Sequence, residues 1–198
     1  MKVIGITGGV GAGKSSMLAY LAEKYHCKII LADEVAHIVK EPGEECYDRL
    51  VTLLSEEILN EDGTIHKGKM AEKIFASEEI LEQVNAIIHP AVKEWILREI
   101  DREREKKELD FLFLEAALLI EDGYLNIVDE MWYIYAREEV RRARLKASRN
   151  YSDEKIDAIF RSQLSEEEFR KNCKVVIDNS DSLPEACKQM DEKLGEYL

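Results

Sequence analysis

The sequence predicts an α/β protein, a five-stranded parallel sheet flanked by helices with an all-helical insertion between its second and third strands. Three observations lead there. Five short apolar runs, Val3 to Thr7, Lys28 to Leu31, Phe111 to Leu114, Glu130 to Tyr135 and Val175 to Ile177, lack polar alternation, so each reads as a strand covered on both faces. Each is followed by residues with helical spacing, the order of βα units on a parallel sheet. Residues 32–110 separate the second run from the third, whereas a parallel crossover needs only about a dozen residues.

The first strand opens directly into glycines, and the helix after it spans Lys14 to Tyr25. The second strand leads into helices at Asp33 to Val39, Glu44 to Ser55, Gly68 to Phe75, Ser77 to Ile87 and Ala91 to Lys107. His89-Pro90 separates the last two, because proline favours the first turn of a helix; His89 is then a turn residue. One face of a sheet needs one or two covering helices, so the excess is read as a subdomain that shapes a second substrate site. Beyond the third and fourth strands come helices at Glu138 to Ser148 and Ser152 to Gln163, and the last strand precedes a helix at Leu183 to Tyr197.

At 198 residues, 45% hydrophobic and 35% charged, the chain has the size and composition of one soluble domain carrying an insertion. The N-terminal apolar run is too short for a secretory signal, and no stretch approaches the roughly 20 apolar residues of a membrane span. Cys27, Cys46, Cys173 and Cys187 are scattered without metal-ligand spacing, which reads as reduced packing thiols and a cytoplasmic location. His26, His37, His66 and His89 share no metal spacing either. The net charge of −13 argues against general binding to nucleic acid or to an acidic membrane, both of which need basic surface. One basic island interrupts it: Arg137, Arg141, Arg142, Arg144, Lys146 and Arg149, against Glu138 and Glu139. Such an island in an acidic chain suits a compact anion.

Gly8-x-x-x-x-Gly13-Lys14-Ser15 matches the phosphate-loop pattern in its required context, a strand before and a helix after. Glycines admit backbone conformations barred to other residues and let several N–H groups converge on one anion. The helix N-terminus adds unpaired N–H groups and the positive end of its dipole. Gly8, Gly9, Gly11, Ala12 and Gly13 supply backbone, Lys14 can reach the β- and γ-phosphates, and the Ser15 hydroxyl can ligate Mg²⁺. A turn that merely joins strand to helix explains one or two glycines, not a lysine and a hydroxyl at fixed offsets.

Triphosphate binding leaves a kinase, a GTPase switch and a motor open. No glycine is preceded three residues earlier by Asp and no Asn is followed by Lys, so the GTPase signatures are missing, and no apolar strand ends in Asp-Glu as a motor would have it. A kinase needs a carboxylate at the acceptor and mobile arginines on the transferring phosphoryl group. Asp33 follows the second strand at the edge where open α/β sheets bind ligands, with helix capping as its competing role. Glu115, ending "FLFL", reads first as a strand-end carboxylate paired with a nearby cation.

Together these segments resemble the dephospho-CoA kinase family: "IGITGGVGAGKSS", "LADEVAHIVKEPGE", "ILNEDGTIHKGKMAEKIF", "LEQVNAIIHP" and "VVIDNSDSL" follow its pattern in order along nearly the whole chain. The resemblance implies a P-loop kinase fold with a nucleotide core (about 1–35, 108–136 and 172–198), a helical CoA-substrate subdomain (about 36–107) and a lid (about 137–171). It implies ATP with Mg²⁺ as donor and dephospho-CoA as acceptor, phosphorylated on its ribose 3′-hydroxyl in the last step of coenzyme A synthesis. Asp33 matches the carboxylate that takes the hydroxyl proton. Arg149 and Arg144, with Arg141 beside them, match the lid helix that closes over the phosphates, and Asn179 the loop that passes the adenine. Read without the resemblance, these arginines are a solvated helix face and Asn179 a strand-ending turn residue. A kinase of another small acceptor, such as a nucleoside monophosphate, and a nucleotide-dependent switch are the alternative readings.

The chain departs from the family pattern in places. Leu31 stands where a first acid precedes Ala32-Asp33, Ser16 replaces a threonine, Ala117 replaces the proline of a P-L-L-F-E segment, and the spacing around Arg149 is shifted by one residue on either side.

Overall fold

The computed structural model describes residues 1–116 and 118–198; the Ala117 departure therefore lies outside the described residues. The chain divides into two compact units, Met1–Ile29 with Lys106–Leu198, and Ile30–Glu105.

Five strands form one parallel sheet in the order β2-β3-β1-β4-β5: β1 (Lys2–Thr7), β2 (Cys27–Leu31), β3 (Phe111–Glu115), β4 (Glu130–Tyr135) and β5 (Val175–Asp178), all of it in the first unit except the last two residues of β2. All five apolar runs are strands. The two that flank β1 hold it in register, with Ile4 opposite Phe113 on one side and Glu130 on the other. Ile4, Leu112, Phe113, Leu114, Trp132 and Ile134 are all sealed from solvent, as unalternated apolar sequence requires when helices cover both faces. The unit's helices are α1 (Lys14–Lys24), α6 (Glu138–Arg149), α7 (Asp153–Arg161), α8 (Glu166–Asn172) and α9 (Leu183–Gly195). The apolar spacing does not announce α8. It is short, begins with a capping box between Ser165 and Glu168, and presents one large apolar side chain, Phe169, which stacks on Tyr133 of β4 at 4.6 Å.

The second unit contains α2 (Ala32–Ile38), α3 (Tyr47–Leu54), α4 (Lys67–Phe75) and α5 (Glu78–Lys106), with a short 3-10 turn at Glu56–Ile58. Leu50, Leu54, Ile58, Val84, Ile87 and Ile96 form its core. The structure corrects one expectation here. The two helices read on either side of His89-Pro90 are one helix of 29 residues with Pro90 inside it, and His89 is helical rather than a turn residue. Proline removes one main-chain donor and usually ends a helix. The buried stripe Val84, Ile87, Ala91, Ile96 and Ile100 nevertheless runs through the proline without a break, and the packing of that face outweighs the lost bond. The Cys46 thiol donates to the carbonyl of Ile87 at 3.5 Å, giving a polar group near the interruption a partner from outside the helix.

Among the described residues no helix is long and apolar enough to cross a membrane.

Candidate functional site

The loop between β1 and α1 sits at the C-terminal end of the strand next to both neighbours in the middle of the sheet. Ile4 and Ile6 anchor β1 in the core, and the chain leaves that rigid strand at Gly8. Gly13 precedes the helix at φ 96°, a left-handed conformation that a side chain would strain. A Cβ there would also run into the amide of Asn179, and one at Gly9 would run into the guanidinium of Arg141. Gly13 thus needs glycine for its backbone conformation, whereas at Gly9 the obstacle is the flexible end of the Arg141 side chain.

Lys14 opens α1. Its Nζ donates to the Gly8 carbonyl at 2.7 Å and lies 3.5 Å from Glu115 Oε1 at the end of β3. The strand-end carboxylate does pair with a cation, and the cation is the loop lysine. Ser15 and Ser16 follow on the first turn of α1, both exposed.

From the other side the loop meets α6. Arg141 Nε donates to the Val10 carbonyl at 3.0 Å, and its Nη2 donates to Gln163 Oε1 at 2.6 Å. Its guanidinium lies over the Phe160 ring, 4.3 Å from the centroid, and burial pulls its pKa below the ordinary arginine range. Arg144 donates to the Ala12 carbonyl at 3.3 Å and to the Asn179 carbonyl at 2.8 Å. Asn179 is buried and donates its amide to the same Ala12 carbonyl at 2.8 Å. The structure thus brings Arg144 and Asn179 together on the loop, with Arg141 beside them. Arg141 and Arg144 stand three apart in sequence, so they share one helix face; that spacing was the available signal for their joint use. Gln163 had none.

Arg149 is placed elsewhere. It ends α6, exposed, with its guanidinium 5.9 Å from the centre of the Tyr151 ring, and its hydrogen bond, followed by the charge of Lys155, draws the Tyr151 phenol pKa down. Arg142 is held by Glu138, Asp153 and Asp157, so the basic island is in part a salt-bridged helix face. Asp33 belongs to the second unit. It is exposed on the first turn of α2, two residues after β2 ends at Leu31. The residue in the capping position is Leu31, and no side chain caps this helix. Capping is therefore not what Asp33 does.

Among the described residues no three His, Cys, Asp or Glu side chains cluster as a metal cage. The exposed Ser15 hydroxyl is instead the kind of sparse donor that suits Mg²⁺ carried on nucleotide phosphates, an ion that keeps waters and takes few protein ligands.

The family model described as dephospho-CoA kinase matches residues 2–185. The dephospho-CoA kinase of Carboxydothermus hydrogenoformans is 35% identical over 190 residues, covering 96% of this chain and 91% of that one. That of Oceanobacillus iheyensis is 33% identical over 195 residues, covering 98% and 97%. Among solved structures, the dephospho-CoA kinase from Campylobacter jejuni superposes with a TM-score of 0.75 at 22% identity, covering 99% of this chain and 97% of that one, and so shares its fold.

Proposed function

The chain belongs to the dephospho-CoA kinase family, and we propose that it moves the γ-phosphoryl group of ATP to the ribose 3′-hydroxyl of dephospho-CoA, giving coenzyme A and ADP. The observation that carries this reading is the family match across residues 2–185, since a phosphate loop alone serves many acceptors. The loop's geometry supports the donor half.

In this reading the N–H groups from Gly8 to Ser16 receive the phosphates and Lys14 Nζ neutralises charge between the β- and γ-phosphates. Charge spreads over the phosphoryl oxygens in the transition state, so a fixed ammonium there stabilises it more than the ground state. Ser15 Oγ would hold Mg²⁺, which when bound would supply charge neutralisation to the phosphates. Asp33 accepts the proton of the 3′-hydroxyl as its oxygen attacks phosphorus in line with the departing ADP oxygen. Arg149, at the exposed end of α6, reaches the transferring group from the lid and keeps water from competing. A cytoplasmic location is supported by four free thiols.

ATP consumption measured with dephospho-CoA, with AMP and with neither tests the proposal. Acceleration by dephospho-CoA alone is expected. Equal acceleration by AMP would make the enzyme a nucleoside monophosphate kinase, and tight ATP binding without an effective acceptor would make it a switch.

A further inference from the structure

The loop that must present N–H groups to phosphate has three of its carbonyls held by side-chain donors. The Gly8 carbonyl takes Lys14 Nζ, the Val10 carbonyl takes Arg141 Nε, and the Ala12 carbonyl takes both Arg144 Nη1 and Asn179 Nδ2. These are alternate peptides of one loop. In a planar trans peptide the C=O and the N–H of the next residue point in opposite directions. A donor fixed on the Val10 carbonyl therefore fixes where the Gly11 N–H points, and a donor on the Ala12 carbonyl does the same for Gly13. The Ala12 N–H, by contrast, is used inside the loop on the Gly9 carbonyl at 3.1 Å.

We infer that Arg141 and Arg144, with Asn179, are positioning residues of the donor site, holding the Val10 and Ala12 carbonyls so that the Gly11 and Gly13 N–H groups face the phosphates. Charge-assisted bonds from a guanidinium are stronger than neutral ones and geometrically stiff, and a donor on the carbonyl also polarises the N–H of the same peptide. Arg141 extends the brace to α7 and the turn after it through Phe160 and Gln163, so the loop's shape is tied to residues 138–163 before any arginine touches a nucleotide. The arginines thus act through the loop backbone. The inference rests on the reading of the loop as the nucleotide site and is independent of which acceptor the enzyme uses.

Asn179 separates this role from direct contact with phosphate, because a neutral amide on the Ala12 carbonyl positions the loop equally well but attracts phosphate weakly. Titration calorimetry with ATP and with inorganic triphosphate, without acceptor, compares Arg141→Met, Arg144→Met, Asn179→Ala and, as control, Arg142→Met, whose guanidinium is held by carboxylates. Each of the first three is expected to raise both dissociation constants about tenfold, with the thermal midpoint close to that of the parent protein and the control unchanged. Inorganic triphosphate has no base, so a shared loss cannot come from adenine. Should a Met or Ala variant fold poorly, Arg141→Lys, Arg144→Lys and Asn179→Gln keep a donor and are expected to recover part of the affinity. Loss in the arginine variants with parental affinity in Asn179→Ala would overturn the inference in favour of direct contact. Parental affinity in all three would overturn it outright, as would a fall in affinity that only tracks a fall in thermal midpoint.

Discussion

The Lys14 ammonium lies 3.5 Å from the Glu115 carboxylate, so the lysine proposed to receive phosphate stands next to an anion from the neighbouring strand. Lys14→Ala is expected to lower kcat/KM for ATP by about 10²–10³-fold, the usual loss when one preorganised donor leaves a developing anion, and to weaken ATP binding as well. Glu115→Gln is expected to tighten ATP binding up to about fivefold, because the carboxylate competes with phosphate for the ammonium at the modest strength of a partly exposed pair. Steady-state kinetics reads the loss of kcat/KM and equilibrium titration with ATP the change in binding of both variants, and weaker binding in Glu115→Gln would show that the carboxylate positions the lysine instead.

Asp33 carries the acceptor side of the proposal. Asp33→Asn keeps the shape of the side chain and removes the base, and kcat is expected to fall by about 10²–10⁴-fold, with the KM for ATP little changed. Steady-state kinetics with both substrates varied decides it. Turnover within a fewfold of the parent enzyme would remove Asp33 from the mechanism.

Acid stability is expected to depend in part on Asp191, which ties α9 to α1. Its carboxylate accepts from Tyr20 and Tyr25 at 2.7 Å each, and from Lys24 at 2.5 Å. Burial alone would raise its pKa, but the hydrogen bonds from Lys24, Tyr25 and Tyr20 outweigh it and hold the carboxyl below the ordinary range. The native state thus binds this proton less readily than the unfolded chain. The stabilisation is complete above the unfolded value, about 3.9, and is lost as the pH falls from there through the lower native value. Urea unfolding of the parent and of Asp191→Asn at a series of pH values between about 6 and 3 is expected to show a shallower acid loss in the variant; identical slopes would exclude the contribution.

Much of this was legible before folding. The five strands came from apolar runs without alternation, because a strand buried on both faces has no use for polar residues. The phosphate loop came from residue types at fixed offsets, because a short anion cradle is built from consecutive backbone and needs no distant partner. Pro90 was misread because its effect on the helix depends on packing along the whole stripe from Val84 to Ile100, a sum over neighbours that no window around His89-Pro90 contains. Helix α8 escaped because a single stack, Phe169 on Tyr133, does the work that periodicity does in longer helices.

The sequence by itself determined that a strand ends in a phosphate-binding loop, that Lys14 and Ser15 open the following helix, and that the chain has the segments of its family in order. Only the tertiary structure decided what holds that loop. Arg141 and Arg144 lie more than a hundred residues from Val10 and Ala12, and as a sequence motif they read as lid or solvated face. They reach the loop carbonyls because β4, paired to β1 in the sheet, delivers α6 beside the loop. A carbonyl accepts from whichever donor the fold brings within hydrogen-bond range, so its partner is set by strand order and helix placement, and no local pattern encodes it.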